Sequence, residues 1–281
     1  MGSTVNLRFV LIVFFALISV HAHADDGEDC AKASGETKLA ACTRAIESGR
    51  WQGADLSWAY NNRGIAWVDQ GDLDHAIADY TEAIRLDPKH VKAFNNRGNA
   101  WRKKGDYDKA IADCNEAIRL DPQYATAFNN RGLAWDAKGD LDRAIADYTE
   151  AIRLDPKYVK AYNNRGIAWG DQGDLDRAIA DYTETIRLDP KNITAFKNRG
   201  AIQFAKGEFA ASAADFAESQ RLKQDSYSAI WLYLARARNG SDAREELTMN
   251  TNGMDSKKWP APVVALYLDK TKNLSVNNVY V

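Results

Sequence analysis

The sequence predicts an all-α fold, an α-solenoid of stacked helix-turn-helix units, and three observations carry that expectation. A nine-residue string, AYNNRGIAW at Ala59, returns as AFNNRGNAW at Ala93, AFNNRGLAW at Ala127, AYNNRGIAW at Ala161 and, weakened, AFKNRGAIQ at Ala195, each 34 residues after the last. A second string, GDLDHAIADYTEAIRLDP from Gly71, recurs in the same phase from Gly105, Gly139 and Gly173. Both strings set apolar and small residues at helical spacing and end at glycine or Asp-Pro. One such unit cannot bury both of its helices alone, so the units must stack. At 281 residues, 45% hydrophobic and 27% charged, the chain has enough apolar surface for a sizeable core and is no disordered tail.

Taken in order, the first element is a leader. Arg8 is the only charge before Asp25, Phe9 to Val20 is apolar except for Ser19, and Ala22-His23-Ala24 offers an A-x-A site. Residues 1–24 therefore read as a signal peptide cleaved after Ala24, which predicts an exported protein, periplasmic or secreted. The apolar run falls well short of the roughly 20 residues of a membrane span, so stable membrane insertion is not expected. Residues 25–56 read as a divergent N-terminal capping half-repeat, because TRAIESG echoes TEAIRLD. Cys30 and Cys42 fall on its two proposed helices, and in an oxidising compartment they are expected to form a disulfide.

Five units follow, over 57–90, 91–124, 125–158, 159–192 and 193–224. In the first helix of each, an aromatic such as Tyr60, a glycine four on such as Gly64 and, in four units, a tryptophan such as Trp67 share one face. Gly71 and its copies supply the left-handed residue that ends this helix, and Asp72 can cap the second. The second helix carries the stripe Leu73, Ala76, Ile77, Tyr80, Ala83 and Ile84, and Gly64 and Ala76 let the two backbones approach. Asp87-Pro88 closes the unit, with Asp as N-cap and Pro at the first helical position of the next. The fifth unit decays, with Ser212 and Ser219 replacing the alanines and Gln224 the proline. Residues 225–281 read as a C-terminal helical segment: Tyr227 to Arg238 is an apolar helix, Ser241 to Glu245 starts another, and Lys258 to Pro262 leads into VVALYLDK.

With Ala76 in the small position, Tyr60, Gly64, Trp67, Tyr80, Ala83 and Pro88 fall where the tetratricopeptide repeat signature has aromatic, Gly, aromatic, aromatic, Ala and Pro. Ser57 to about Gln224 thus resembles that family, with one departure repeated in every copy: Arg63 stands where the family has leucine. The resemblance implies a right-handed solenoid whose first helices line a concave groove, and a non-enzymatic protein-protein interaction adaptor. Tyr227 to Lys270 is similar to the C-terminal portion of NlpI-type tetratricopeptide proteins of bacterial envelopes. That second resemblance implies a place in the cell envelope and a partner among envelope proteases or cell-wall hydrolases. Further helices normally follow there, whereas Thr271 to Val281 does not continue the pattern; a naturally short, a frameshifted and a truncated segment all fit, and in each the apolar face of Val263 to Leu268 is expected to lack its usual cover.

Catalysis has little to work with. No glycine-rich phosphate loop, nucleophile elbow, zinc spacing or calcium loop occurs, so no cofactor or metal is expected. A formal charge of −2 and a pI near 6.1 give no reason to expect nucleic acid. His75 takes a slot held by Lys109, Arg143 and Arg177 in sister units, His90 lies in a turn, and Cys114 replaces a core tyrosine. The row Arg63, Arg97, Arg131, Arg165, Arg199 is expected to pair with Asp79, Asp113, Asp147, Asp181, Asp215 as structural ion pairs.

The informative row is asparagine: Asn61-Asn62, Asn95-Asn96, Asn129-Asn130, Asn163-Asn164 and Lys197-Asn198. Asparagine is a mediocre helix former, so its recurrence calls for a reason beyond propensity. In the resembled family this part of the first helix faces the groove, and an amide there offers donor and acceptor to the backbone of an extended peptide. The competing reading is that the copies are recent duplications that kept everything. Beside the row, Lys92, Asn99, Arg102 and Lys103 in one unit stand against Thr126, Leu133, Asp136 and Ala137 in the next, a contrast suited to a ligand with one acidic anchor. The sequence thus predicts capture of a protein or peptide partner. The alternative is a structural, self-associating protein that forms a homodimer through its apolar C-terminal helices and leaves the groove unused.

Overall fold

A computed structural model describes residues 26–253 and Leu268, and every regular element among them is helical. The leader and the remainder of the tail, including Val263 to Tyr267, lie outside the described residues. The chain divides into two compact units between Leu154 and Asp155.

The first unit starts with α1 (26–32) and α2 (Gly35–Glu47), followed by a single 3-10 turn at Gly53–Leu56. Cys30 on α1 is disulfide-bonded to Cys42 on α2, and both are fully buried with Ala41 and Ala59 under Ile46, Leu56 and Trp58. Three helical hairpins follow: α3 (Ser57–Asp69) with α4 (Leu73–Leu86), α5 (Val91–Lys104) with α6 (Tyr107–Leu120), and α7 (Ala125–Ala137) with α8 (Leu141–Leu154). Each second helix packs on the next first helix, α4 on α5 and α6 on α7, and the first helices also touch, α3 with α5 and α5 with α7. The 34-residue period is the repeat of this stacking.

Within a hairpin the connection is set by two residues. Gly71, Gly105 and Gly139 adopt φ of 80 to 90°, which a side chain resists, and Asp72 and Asp106 accept from the backbone N–H of His75 and Lys109. Close approach is equally specific. A Cβ at Gly132 would lie 2.7 Å from the Tyr148 ring and 3.2 Å from the Ala144 carbonyl.

The junction between repeats differs from the sequence expectation. Asp87 does not cap the next helix and Pro88 is not its first residue, since α5 begins at Val91. Instead the Asp87 carbonyl accepts from His90 N–H and its side chain accepts from Lys89 N–H, both at 3.0 Å. Asp-Pro-Lys-His is a tight turn in which aspartate closes its own loop, and the helix can start only after it.

The arginines that replace the family's leucine form the expected pairs. Arg63, Arg97 and Arg131 each grip Asp79, Asp113 and Asp147 with two bonds of 2.6 to 2.8 Å. The third nitrogen reaches the preceding repeat, Arg97 to Thr81 at 3.0 Å and Arg131 to Asn115 at 2.7 Å. Burial pushes the Asp147 carboxyl up, and the Arg131 bonds oppose that shift. Each guanidinium also lies over its own aromatic, 5.3 to 5.7 Å from Tyr60, Phe94 and Phe128.

The second unit contains α9 (Val159–Asp171) with α10 (Leu175–Leu188), α11 (Ile193–Ala205) with α12 (Phe209–Leu222), then α13 (Ser226–Arg238) and α14 (Arg244–Asn250). Arg165–Asp181 and Arg199–Asp215 continue the bidentate pattern. The serines of the decayed repeat are buried but satisfied: Ser212 donates to the Gly200 carbonyl at 2.8 Å, and Ser219 bonds Ser228 on α13 at 2.9 Å. Trp231 of α13 stacks on the buried Phe216 of α12 at 5.8 Å, and Leu268 packs against the α13–α14 cluster of Tyr233, Leu234 and Leu247.

Candidate functional site

The face formed by the first helices positions most of the residues singled out in the sequence, and the structure sorts the asparagines into two kinds. In the first unit, Asn61, Asn95 and Asn129 are buried, at 3 to 6% exposure, whereas Asn62, Asn96 and Asn130 are half-buried. The two rows are joined across repeats. Asn96 Nδ2 donates to Asn61 Oδ1 at 3.0 Å, and Asn130 Nδ2 donates to Asn95 Oδ1 at 2.9 Å. Within each pair a longer bond of 3.4 Å links Asn95 to Asn96 and Asn129 to Asn130. The result is a chain of amides running along the first helices, which fixes the register of one repeat on the next.

This chain does not exhaust the second row. A primary amide has two N–H donors and two acceptor lone pairs. Asn96 and Asn130 each spend one donor and one acceptor position on the chain, which leaves one of each on a half-buried side chain. Asn62 begins the row with no earlier asparagine to serve. In the second unit the pattern changes: Asn198 bonds the Tyr182 hydroxyl, Lys197 pairs with Asp225 at 2.9 Å, and the buried Oδ1 of Asn163 has no hydrogen-bond partner. Asn164 is half-buried beside it.

The flanking positions give α5 its character. Lys92 and Lys103 are exposed, Arg102 is half-buried, and its Nη2 donates to Asn99 Oδ1 at 3.0 Å. None of these three cations is paired with a carboxylate among the described residues, although most other arginines are. The corresponding residues of α7 are Thr126, Leu133, Asp136 and Ala137.

The other groups considered for chemistry are occupied structurally. His75 stacks on Trp67 at 4.8 Å and bonds Asp72. Lys109, Arg143 and Arg177 lie over Trp101, Trp135 and Trp169 at the same place, 3.6 to 4.5 Å from the ring. Cys114 is fully buried, and burial pushes its thiol up to about 12, so it is not poised as a nucleophile. Two polar features escaped sequence reasoning. Ser57 is buried against His90, 2.5 Å from Nδ1, and the fully buried Tyr148 carries a hydroxyl with no partner in the protein. Among the described residues no cluster of His, Cys, Asp and Glu is placed to hold a metal ion, and no helix is long and apolar enough to cross a membrane.

Comparison with known proteins agrees with this architecture. The tetratricopeptide repeat profile matches residues 61–125, 115–159, 129–193 and 163–229. No curated protein matches the chain. Among solved structures, MamA is 27% identical over 57% of this chain and 94% of its own, with a TM-score of 0.52. PilW, a type IV pilus biogenesis factor, is 20% identical over 75% of this chain and 98% of its own, with a TM-score of 0.65. YrrB, a repeat protein with an unusual peptide-binding site, is 22% identical over 68% of this chain and 97% of its own, with a TM-score of 0.52.

Proposed function

The chain belongs to the tetratricopeptide repeat family, and from that premise we propose that it is a non-enzymatic adaptor of the bacterial cell envelope, holding an extended segment of a partner protein along its first helices. The observation that carries this reading is the second asparagine row. A run of half-buried amides, each with a donor and an acceptor uncommitted, is matched to the repeating N–H and C=O groups of an extended backbone. Such contacts are indifferent to the ligand's side chains, so selectivity falls to the variable neighbours Lys92, Asn99 and Arg102 and to Thr126, Leu133 and Asp136. The leader over residues 1–24 and the bonded pair Cys30–Cys42 support an exported location, since disulfides are uncommon in the cytosol. The similarity of the tail to NlpI-type proteins is the reason to look for the partner among envelope proteases and cell-wall hydrolases.

The test is an immobilised library of unstructured peptides offered to the purified chain. Replacing Asn62, Asn96 and Asn130 by alanine should lower retention of the bound subset about tenfold. Replacing Thr81 and Glu82 on α4 should leave it unchanged. Urea melts must accompany the asparagine variant, because it also loses the inter-repeat bonds. Retention that survives in a folded asparagine variant would overturn the reading.

A further inference from the structure

Asn62, Asn96 and Asn130 stand at the same place on α3, α5 and α7, one 34-residue repeat apart. Their separation in space is set by the stack. Cα atoms of neighbouring first helices approach within 8 Å, and the amide bonds from Asn96 to Asn61 and from Asn130 to Asn95, 3.0 and 2.9 Å long, hold each helix against the one before. Helices in such contact have axes about 8–10 Å apart, so equivalent amides recur at about that interval. Asn96 and Asn130 each keep one N–H and one acceptor position, and Asn62 makes no side-chain bond among the described residues. The three half-buried amides thus form a ruler with a fixed step.

A ligand backbone can use that ruler only if it turns the same face to it at the same step. An α-helix has spent its backbone N–H and C=O groups on itself and offers the amides nothing. A β-strand shows one face at every second residue, about every 6.7 Å, and three residues on, about 10 Å away, it shows the opposite face. A polyproline II helix turns once in three residues with a rise of about 3.1 Å, so one face returns about every 9 Å, and its backbone groups have no internal partners. Of the three, this conformation alone matches the step. Three residues beyond the amides on the same helix faces, Ile65 and Leu133 are half-buried and offer apolar surface to proline rings. Resting on the groove reading above, we propose that the partner segment is a proline-rich stretch held as a polyproline II helix, three ligand residues to each repeat. The residue facing each asparagine cannot be proline, because it must supply an N–H. The other two of each triplet can be, and their fixed φ lowers the cost of ordering the segment.

The experiment uses the full chain and twelve-residue peptides without charged side chains, so that the exposed Lys92 and Lys103 add no general attraction. The first peptide is four copies of Gln-Pro-Pro. The second has the same composition, shuffled so that no three positions three apart are all glutamine. The third is four copies of Gln-Thr-Val, which keeps every N–H and favours a strand. By fluorescence anisotropy the first should bind at least tenfold more tightly than either of the others. One proline inserted between its second and third copies should cost a similar factor, because no three glutamines then keep the step. Asn62→Ala should weaken the first peptide several-fold without lowering the urea midpoint, since that side chain has no internal bond to lose; a purely structural role would not give that combination. Equal or tighter binding of the shuffled or strand-forming peptide, or unchanged affinity in Asn62→Ala, overturns the proposal. So does failure of all three peptides to bind: where the unstructured-peptide library is still retained the groove reading stands without it, and where the library is not retained either, the groove reading fails too.

Discussion

At the scale of single residues, the glycines separate two demands that look alike in the sequence. Gly132 is required by space: a Cβ there would meet the Tyr148 ring at 2.7 Å and the Ala144 carbonyl at 3.2 Å, and neither a buried ring nor a backbone can withdraw cheaply. Gly170, inside α9, has no such neighbour, since the nearest atom to a Cβ is Ile202 Cδ1 at an ordinary 3.6 Å. Gly132→Ala should therefore destabilise by about 1–3 kcal/mol through overpacking. Gly170→Ala should stabilise by about 0.5–1 kcal/mol, because alanine loses less chain entropy in a helix and here encounters no clash. Urea denaturation of the two variants should shift the midpoint in opposite directions, and a shared sign would show that space does not distinguish them. The asparagines teach a related lesson. Adjacent letters, Asn95 and Asn96, are equivalent in the sequence, yet one is buried and the other half-buried, because a helix turns about 100° per residue.

At the scale of elements, most of what was legible came from local chemistry. The glycine with positive φ, the aspartate cap and the apolar stripe act within a few residues of themselves, so the helices and their turns could be read directly. The closing Asp-Pro turn was misplaced because aspartate has two local uses, capping a helix or closing its own turn, and only the chain direction after Pro88 decides between them. Ser57–His90 was invisible for a different reason: its partners are 33 residues apart, where sister repeats carry Val91, Ala125, Val159 and Ile193 in place of Ser57 and Tyr124, Tyr158 and Asn192 in place of His90, so the pair does not recur. It joins the start of α3 to the turn before α5. The Ser57 hydroxyl donates to the Ala83 carbonyl at 2.8 Å, so its oxygen accepts from Nδ1 of His90. Burial holds the His90 imidazole below its ordinary value of 6.5; nearby Lys92 acts in the same direction, and Asp87 opposes them. The folded state thus prefers the neutral ring. Its contribution is complete above the unfolded value and is lost as pH falls below about 6.5 and through the folded value. His90→Asn, which installs the residue found at Asn192, should remove this component. The urea midpoint of the wild type should then fall relative to the variant between pH 7.5 and 5, whereas parallel pH profiles would mean that the junction does not titrate.

At the scale of the whole molecule, the period that identifies the fold is also a statement about energy. Contacts within the first unit run between a repeat and its neighbours, and three of them recur at a fixed offset. Asn130 serves Asn95 as Asn96 serves Asn61, Arg131 reaches Asn115 as Arg97 reaches Thr81, and Lys138 pairs with Asp108 as Lys104 pairs with Asp74. Stability should then be close to a sum over repeats and the interfaces between them. A second copy of residues 91–124 placed between Tyr124 and Ala125 tests this, because each inter-repeat partner is already present. The copied Asn96 finds the original Asn95, the copied Arg97 finds Asn115, the copied Lys104 finds Asp108, and the new Tyr-Val join already occurs at Tyr158–Val159. The lengthened chain should fold with a higher urea midpoint and a dependence on urea that steepens with the added buried surface. A copy one residue shorter, which moves every partner off its helix face, should lower the midpoint instead. If both insertions behave alike, the contacts that recur every 34 residues do not set the stability of the stack.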